Sequence, residues 1–302
     1  MNRLFHGDAL DLGHARDVAP ITLAYLDPPF TVGTTFGART KKGEARATGP
    51  KAYEDRWASV DAFIDWLAER LAVVRSLLSD DGTLFLHLDH RAVHEAKIRC
   101  DALFGKARFQ GEIIWVPGNG AKGRRGLGVT HQTLLVYAKG ATPVWNARDP
   151  MLREPFAATS LSMHFTNEDP DGRRYRERTI AGRTYRYYAD EGRALGSVWS
   201  DCPAMVANTP LRREATGYPT QKPEKLLERI VRASSHEGQV VADLMCGSGT
   251  TAAVAARLGR RFVAGDRSAL AVEITEKRLL AQGAAFARLP LPERAAASAD
   301  NA

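Results

Sequence analysis

Residues 240–266 constrain the fold most. Val240-Val241-Ala242-Asp243 is a short apolar run closed by an acid. A glycine-bearing turn follows, Leu244-Met245-Cys246-Gly247-Ser248-Gly249, and then helix-forming sequence from Thr250 to Leu258. A second apolar run, Arg261-Phe262-Val263-Ala264-Gly265, ends at Asp266. Strand, turn, helix and strand in this order build an α/β fold with its ligand at the carboxyl edge of the sheet. The glycines let backbone approach a ligand, and the helix start offers unpaired N–H groups. An acid closing the second strand suits two ribose hydroxyls. No phosphate-loop lysine and no Gly-x-Gly-x-x-Gly is present, so an adenosyl ligand without a pyrophosphate is expected.

A second segment carries chemistry. Ile21-Thr22-Leu23-Ala24-Tyr25-Leu26 reads as a strand covered on both faces, and Asp27-Pro28-Pro29-Phe30 follows it. Each proline fixes its own φ and holds the residue before it extended. The product is a stiff platform with one carboxylate, free carbonyls and a flat ring. It suits a planar amino group: the carboxylate and a carbonyl accept the two N–H bonds while the ring stacks on the heterocycle. The bland alternative is a proline turn with a stray acid.

The two segments together resemble the DNA amino-methyltransferases that use S-adenosylmethionine, in the circularly permuted order called the beta class. The resemblance runs over roughly residues 1–280 and includes Gly82-Thr83-Leu84-Phe85-Leu86-His87-Leu88-Asp89, Glu112-Ile113-Ile114-Trp115 and Gly217-Tyr218-Pro219-Thr220-Gln221-Lys222-Pro223-Glu224. It implies an α/β, Rossmann-like methyltransferase sheet with helices on both faces and an inserted target-recognition region. Residues 1–117 would form the catalytic half, 118–215 the target-recognition region with a core strand near 133–137, and 216–289 the cofactor half; 290–302 reads as a disordered tail.

By the same resemblance Asp27 and the Pro28 carbonyl bind the target amine, Pro29 stiffens the platform, and Phe30 stacks on the extruded base. Asp243, Met245, Cys246, Gly247, Gly249 and Thr250 form the cofactor turn, with Asp266 on the ribose. Thr220, Gln221 and Lys222 border the methionine moiety, Asp27 lies at the cofactor's reactive end, and Asp8 meets the adenine amino group or caps the next turn. The implied reaction moves a methyl group from S-adenosylmethionine to the 6-amino group of adenine in a flipped base of double-stranded DNA. The same chemistry on the 4-amino group of cytosine is the alternative; Asp at position 27 favours adenine. A catalytically inactive nucleic-acid-binding relative is the third reading, and the intact Asp27, Gly247, Gly249 and Asp266 argue against it. None of the three cysteines follows a proline near the platform, which argues against methylation of the cytosine ring carbon. A homodimer and a cognate restriction endonuclease are the further partners the resemblance admits.

A net charge of +7 suits a polyanionic partner. The absence of an apolar run of membrane-span length, and of a leader pattern at Met1, fits a cytoplasmic protein associated with DNA, as do three cysteines without paired spacing. His87, Asp89, His90 and His94 crowd together but lack a zinc pattern, and no metal is expected. Residues 53–80 carry apolar side chains at helical spacing, and helices are expected at about 223–235, 250–258 and 268–282.

DNA contacts are expected from three places. Lys41, Lys42 and Arg46 sit in a basic, glycine-bearing loop from Gly33 to Lys51, and Lys122, Arg124 and Arg125 in a shorter one. Residues 173–180 and 183–188 alternate across Ala181-Gly182 and predict a β-hairpin. Its Arg174, Arg176, Arg183 and Arg186 are candidates for phosphate and base contact.

Overall fold

The structure is a computed structural model, and it describes residues 1–14, 18–39, 49–118, 120, 126–205 and 214–290. The chain forms two compact units. One comprises Met1–Val144 with Ser197–Ala302, and the other is Trp145–Gly196.

The larger unit is built on a nine-stranded sheet. Its order is Val198–Trp199, Phe109–Trp115, Gln132–Ala138, Leu78–Leu88, Ile21–Leu26, Val240–Asp243, Arg261–Asp266, Arg3–His6 and Ala287–Arg288. Only Gln132–Ala138 runs against its neighbours; every other pairing is parallel. Ile21–Leu26 lies near the centre with all six residues buried, as expected of a strand covered on both faces. The helices Val60–Leu77 and Val93–Phe104 pack together, while Glu224–Ser234, Thr250–Arg257 and Ala269–Ala281 form a second group.

The connections determine where a ligand can sit. From Ile21–Leu26 the chain crosses to Leu78–Leu88 on one side; from Val240–Asp243 it crosses to Arg261–Asp266 on the other. The two strands are themselves paired, Leu23 to Val241 and Ala24 to Ala242. Between their carboxyl ends lies a topological switch point, where diverging crossovers leave a crevice.

Two boundaries depart from the sequence reading. The helix expected within 53–80 covers Val60–Leu77, capped by the Ser59 hydroxyl on the Ala62 N–H. Ahead of it Lys51–Asp55 is a strand paired with Thr34–Gly37, so the Gly33–Lys51 stretch opens as ordered ribbon. Lys41, Lys42, Arg46, Lys122, Arg124, Arg125 and the tail after Pro290 lie outside the described residues.

The smaller unit holds the expected hairpin, Arg174–Ile180 with Arg183–Tyr188, and Asn167–Glu168 pairs on its edge. Ala181 and Gly182 both have positive φ, 49° and 78°, as a two-residue hairpin turn requires. The compact body is narrower than residues 118–215, because Gln132–Ala138 and Val198–Trp199 belong to the main sheet.

Candidate active site

Three carboxylates stand at the carboxyl ends of consecutive strands. Asp27 follows Ile21–Leu26, Asp243 closes Val240–Asp243, and Asp266 closes Arg261–Asp266. All three line one cavity of about 1230 Å³, together with Phe30, Tyr218 and Lys222. Burial pushes Asp243 up to about 7, against hydrogen bonds from the Thr251 hydroxyl (2.5 Å) and the Met245 N–H (3.3 Å); the charges of Asp27 and Asp266 add to the rise. Burial also raises Asp266, although the N–H groups of Ser268 (2.8 Å) and Gly247 (3.0 Å) donate to it. Asp27 is raised by burial, and the neighbouring Lys222 cation pulls it back.

The platform is built around Asp27. Lys222 Nζ donates to its Oδ2, while Oδ1 is buried and meets no hydrogen-bond partner among the described residues. The same ammonium lies 5.0 Å from the centroid of the Phe30 ring. Behind Phe30 stands His87, fully buried, 5.9 Å from the Phe30 centroid and edge-on to Trp115 at 5.4 Å. Burial pulls the His87 imidazole well below its ordinary pKa, and the Lys222 charge adds to this; the Gln132 amide opposes it weakly from outside hydrogen-bond geometry. Burial pushes the Tyr25 phenol well up. The phenol therefore keeps its proton, which we assign to a bond onto the neutral His87 Nδ1 at 2.8 Å. The wall behind the Phe30 ring is thus uncharged and fixed.

Asp55 fixes the other side, and the sequence reading missed it. Its carboxylate accepts the successive N–H groups of Phe30 (3.1 Å), Thr31 (2.8 Å) and Val32 (2.9 Å), and also Trp57 Nε1 (3.1 Å). Its backbone carbonyl accepts Gly33 N–H at 2.9 Å. Thr31 sits at φ 59°, a conformation a threonine adopts only when its surroundings impose it. Asp55 is fully buried and 25 residues from Phe30, so no local pattern announces the contact.

The cofactor turn has the shape its glycines require. At Gly249 (φ 71°) a Cβ would sit 2.6 Å from the Thr275 side chain, and at Gly247 (φ 49°) 3.0 Å from the Tyr218 ring. Cys246 N–H bonds the Gly265 carbonyl at 2.9 Å, and the buried thiol is pushed well up by desolvation. Thr250 Oγ1 donates to the Lys222 carbonyl (3.2 Å) and accepts Arg278 Nη1 (2.9 Å). Thr220, at φ 57°, lies 3.1 Å from the Tyr53 hydroxyl.

Other candidates make bonds within the protein. Lys222, expected to border a methionine moiety, points its ammonium at Asp27. The Gln221 amide accepts from Thr216 and donates to the Glu214 carbonyl. Asp8 lines the cavity and takes the second of its two expected roles, capping the next turn: its carboxylate accepts Leu10 N–H (3.0 Å), and it also accepts Arg70 (2.7 Å), which stacks on Trp66 at 4.2 Å. Three of the four hairpin arginines are also occupied. Arg174 donates to the Phe165 and Leu161 carbonyls, Arg176 lies over Phe156 and Phe165, and Arg186 pairs with Glu177. Of the crowded polar residues 87–94, His90 and His94 are exposed while His87 serves the platform.

A largely parallel sheet with acids at its switch point and a proline-stiffened platform beside them defines a Rossmann-like methyltransferase fold. The chain belongs to the N6/N4 DNA methylase family, whose profile matches residues 21–277. It is 27% identical to the type II methyltransferase M.EcaI of Enterobacter cloacae over 85% of this chain, and spans 64% of that protein's length. It is 27% identical to the DNA adenine methyltransferase YhdJ of Escherichia coli (strain K12), covering 86% of this chain and 76% of YhdJ. The type II methyltransferase M1.MboII of Moraxella bovis is 26% identical over 89% of this chain and 93% of its own. Among solved structures, the PvuII DNA methyltransferase (cytosine-N4-specific) superimposes with a TM-score of 0.59 at 15% identity, covering 92% of this chain and 86% of that one. TTHA0409 from Thermus thermophilus gives 0.58 at 19% identity, covering 96% and 100%. These two likenesses concern the fold.

Proposed function

We propose that the chain transfers a methyl group from S-adenosylmethionine to the 6-amino group of adenine in duplex DNA. The observation that carries this is Asp27 Oδ1: a buried acceptor with no partner among the described residues, at the sheet's carboxyl edge, beside a ring backed by neutral aromatic groups. An acceptor so placed calls for a donor from a ligand.

The cavity suits the cofactor. It carries three carboxylates, a glycine turn on the Thr250–Arg257 helix and the stacked Phe36, Tyr53 and Tyr218 rings, a set that fits a cationic adenosyl ligand. Gly247, Gly249 and Asp266 would hold it, with Thr220 and Met245 at its border, and it supplies the electrophilic methyl group. The protein does the rest. Asp27 Oδ1 and the Pro28 carbonyl accept hydrogen bonds from the two amine N–H groups and draw the nitrogen lone pair out of the ring. Phe30 stacks on the base, which leaves the duplex at a cost of roughly a few kcal/mol. Positive charge then develops on the nitrogen next to a carboxylate already in place, and the methylated nitrogen gives up one proton to Asp27, which releases it to water. Asp27 acts ionised and its pKa is raised, so turnover falls as pH drops through that value.

An adenine target is supported by Asp at position 27 and by the kinship with YhdJ. Mass spectrometry of nucleosides from treated unmethylated DNA tests it. N6-methyladenine is the expected product, N4-methylcytosine replaces the base assignment, and neither product removes the reading. Asp27→Ala should abolish transfer while titration shows nearly unchanged cofactor binding.

A further inference from the structure

The hairpin of the smaller unit has two unlike faces. Residues paired directly across the ladder share a face. Tyr175 pairs with Tyr188, Glu177 with Arg186 and Thr179 with Thr184, which places these six together. Arg176 pairs with Tyr187, Arg178 with Tyr185 and Ile180 with Arg183, which defines the opposite face.

The first face satisfies itself. Arg186 donates to Glu177 at 3.1 Å and lies 4.1 Å over the Tyr175 ring. Beside it Arg173 donates to Asp190 at 2.9 Å and lies 3.9 Å over Tyr188. The two threonine hydroxyls meet at 3.0 Å. Each arginine here has an acid and a ring, so the face presents little net charge.

The second face does not. Its base is anchored: Arg176 lies 5.2 Å and 5.0 Å from the Phe156 and Phe165 centroids. Beyond it Arg178, Ile180, Arg183 and Tyr185 are all exposed, Ile180 to 53% and Tyr185 to 44%. Among the described residues no carboxylate pairs with Arg178 or Arg183. Two uncompensated guanidinium groups, an aliphatic side chain and an amphipathic ring thus share one side of a ribbon tip.

We propose that this face, Arg178 and Arg183 with Ile180 and Tyr185, reads base edges in the major groove of duplex DNA. The inference rests on DNA as the methyl acceptor. The groove admits a two-stranded ribbon. Free guanidinium groups present the bidentate donors that match guanine O6 and N7, and apolar side chains meet the thymine methyl group. The charge fits a polyanion, whereas the paired arginines of the other face would first have to leave their carboxylates. Of the four arginines the alternation offers, Arg183 keeps this role and Arg178 joins it, while Arg174, Arg176 and Arg186 are engaged within the protein.

The test uses the full chain and single substitutions on each face. Unmethylated genomic DNA is treated with the wild type and with Arg178→Ala, Arg183→Ala, Tyr185→Ala, Arg173→Ala and Arg186→Ala, and methylated positions are mapped by sequencing. Arg178→Ala and Arg183→Ala should each relax discrimination at one position of the recognition sequence by roughly ten- to a hundredfold. Arg173→Ala and Arg186→Ala should keep the parental sequence. Arg178→Gln, which keeps length without the fork, should relax the same position as Arg178→Ala. Titration of S-adenosylmethionine shows that each variant is folded. If both alanine variants keep the parental motif, or if the paired face relaxes it equally, the assignment is overturned while the enzymatic reading stands. If the wild type methylates no DNA, both fall.

Discussion

Asp55→Asn isolates the positioning of the platform from its chemistry. The substitution keeps the volume but replaces one oxygen by an amino group. Each Asp55 oxygen accepts two bonds: Oδ2 from Phe30 and Val32, Oδ1 from Thr31 and Trp57. Either orientation of the new amide therefore loses two acceptor contacts and turns a donor toward donors. Hydrogen bonds to a charged group contribute ~1.5–3 kcal/mol each, so the lost restraint is roughly 3–6 kcal/mol. Val32 is 42% exposed, so water can replace part of this and the lower end applies. Placement of Phe30 is what the contact secures, and a tenfold loss of rate needs only ~1.4 kcal/mol. We expect kcat to fall at least tenfold, with cofactor affinity changed less than about threefold because Asp55 has no bond to the Gly-Ser-Gly turn. Single-turnover transfer of tritiated methyl gives the rate and calorimetry the affinity. A duplex carrying 2-aminopurine at the target reports whether the extruded base still stacks on Phe30. A variant with normal turnover and normal 2-aminopurine quenching would refute the positioning role.

Asp266→Ala should weaken S-adenosylmethionine binding about tenfold or more, since a charged acceptor is worth ~1.5–3 kcal/mol; unchanged titration removes the ribose assignment. Lys222→Met removes the cation that holds Asp27 down, so the acidic limb of the kcat–pH profile should move to higher pH, and an unmoved limb breaks the link. Asp243 binds its proton more tightly folded than unfolded, so its contribution to stability is present at low pH and lost as pH rises from the ordinary 3.8 through about 7. Urea denaturation should show the wild type losing stability relative to Asp243→Asn across that range; parallel curves would contradict the raised value. Replacing Lys41, Lys42 and Arg46 by Ala should flatten the salt dependence of DNA binding by up to about three units of log–log slope, and an unchanged slope means none of them meets a phosphate.

The parts of the site that follow a strand were legible because local rules decide them. Asp27, Asp243 and Asp266 each close an apolar run, and strand ends are where an open α/β sheet collects its ligand groups. The Gly247 and Gly249 turn was legible because few residues but glycine tolerate that backbone. What the sequence hid depends on contacts between distant segments. Asp55 reaches back 25 residues to backbone amides, which carry no residue identity. Lys222 crosses 195 positions to Asp27, and Tyr25 meets His87 over 62. The hairpin was legible from alternation and its turn, but alternation cannot say which arginines an acid will claim. That was decided by the register, which sets Glu177 opposite Arg186 and leaves Arg178 opposite a tyrosine.

The charge of the cavity explains why Lys222 faces Asp27. Three carboxylates in one crevice resist burial, which raises all three, and the charges of Asp27 and Asp266 raise Asp243 further. That arrangement lowers the stability of the empty protein near neutral pH, and a cation entering the cavity relieves it. The proposed reaction brings two: the sulfonium of the cofactor, and the amine nitrogen as it acquires the methyl group. For Asp27 to stabilise the amine nitrogen it must be ionised, yet burial alone favours its protonated form. Lys222 counters this by bonding Oδ2, and its charge draws the carboxylate's pKa back down against burial. Its ammonium also repels a developing positive charge nearby, so full neutralisation of the carboxylate would defeat the purpose. The geometry divides the two demands between the two oxygens. Oδ2 takes the lysine, and Oδ1, buried and without a partner among the described residues, is available to the amine of the proposed reaction.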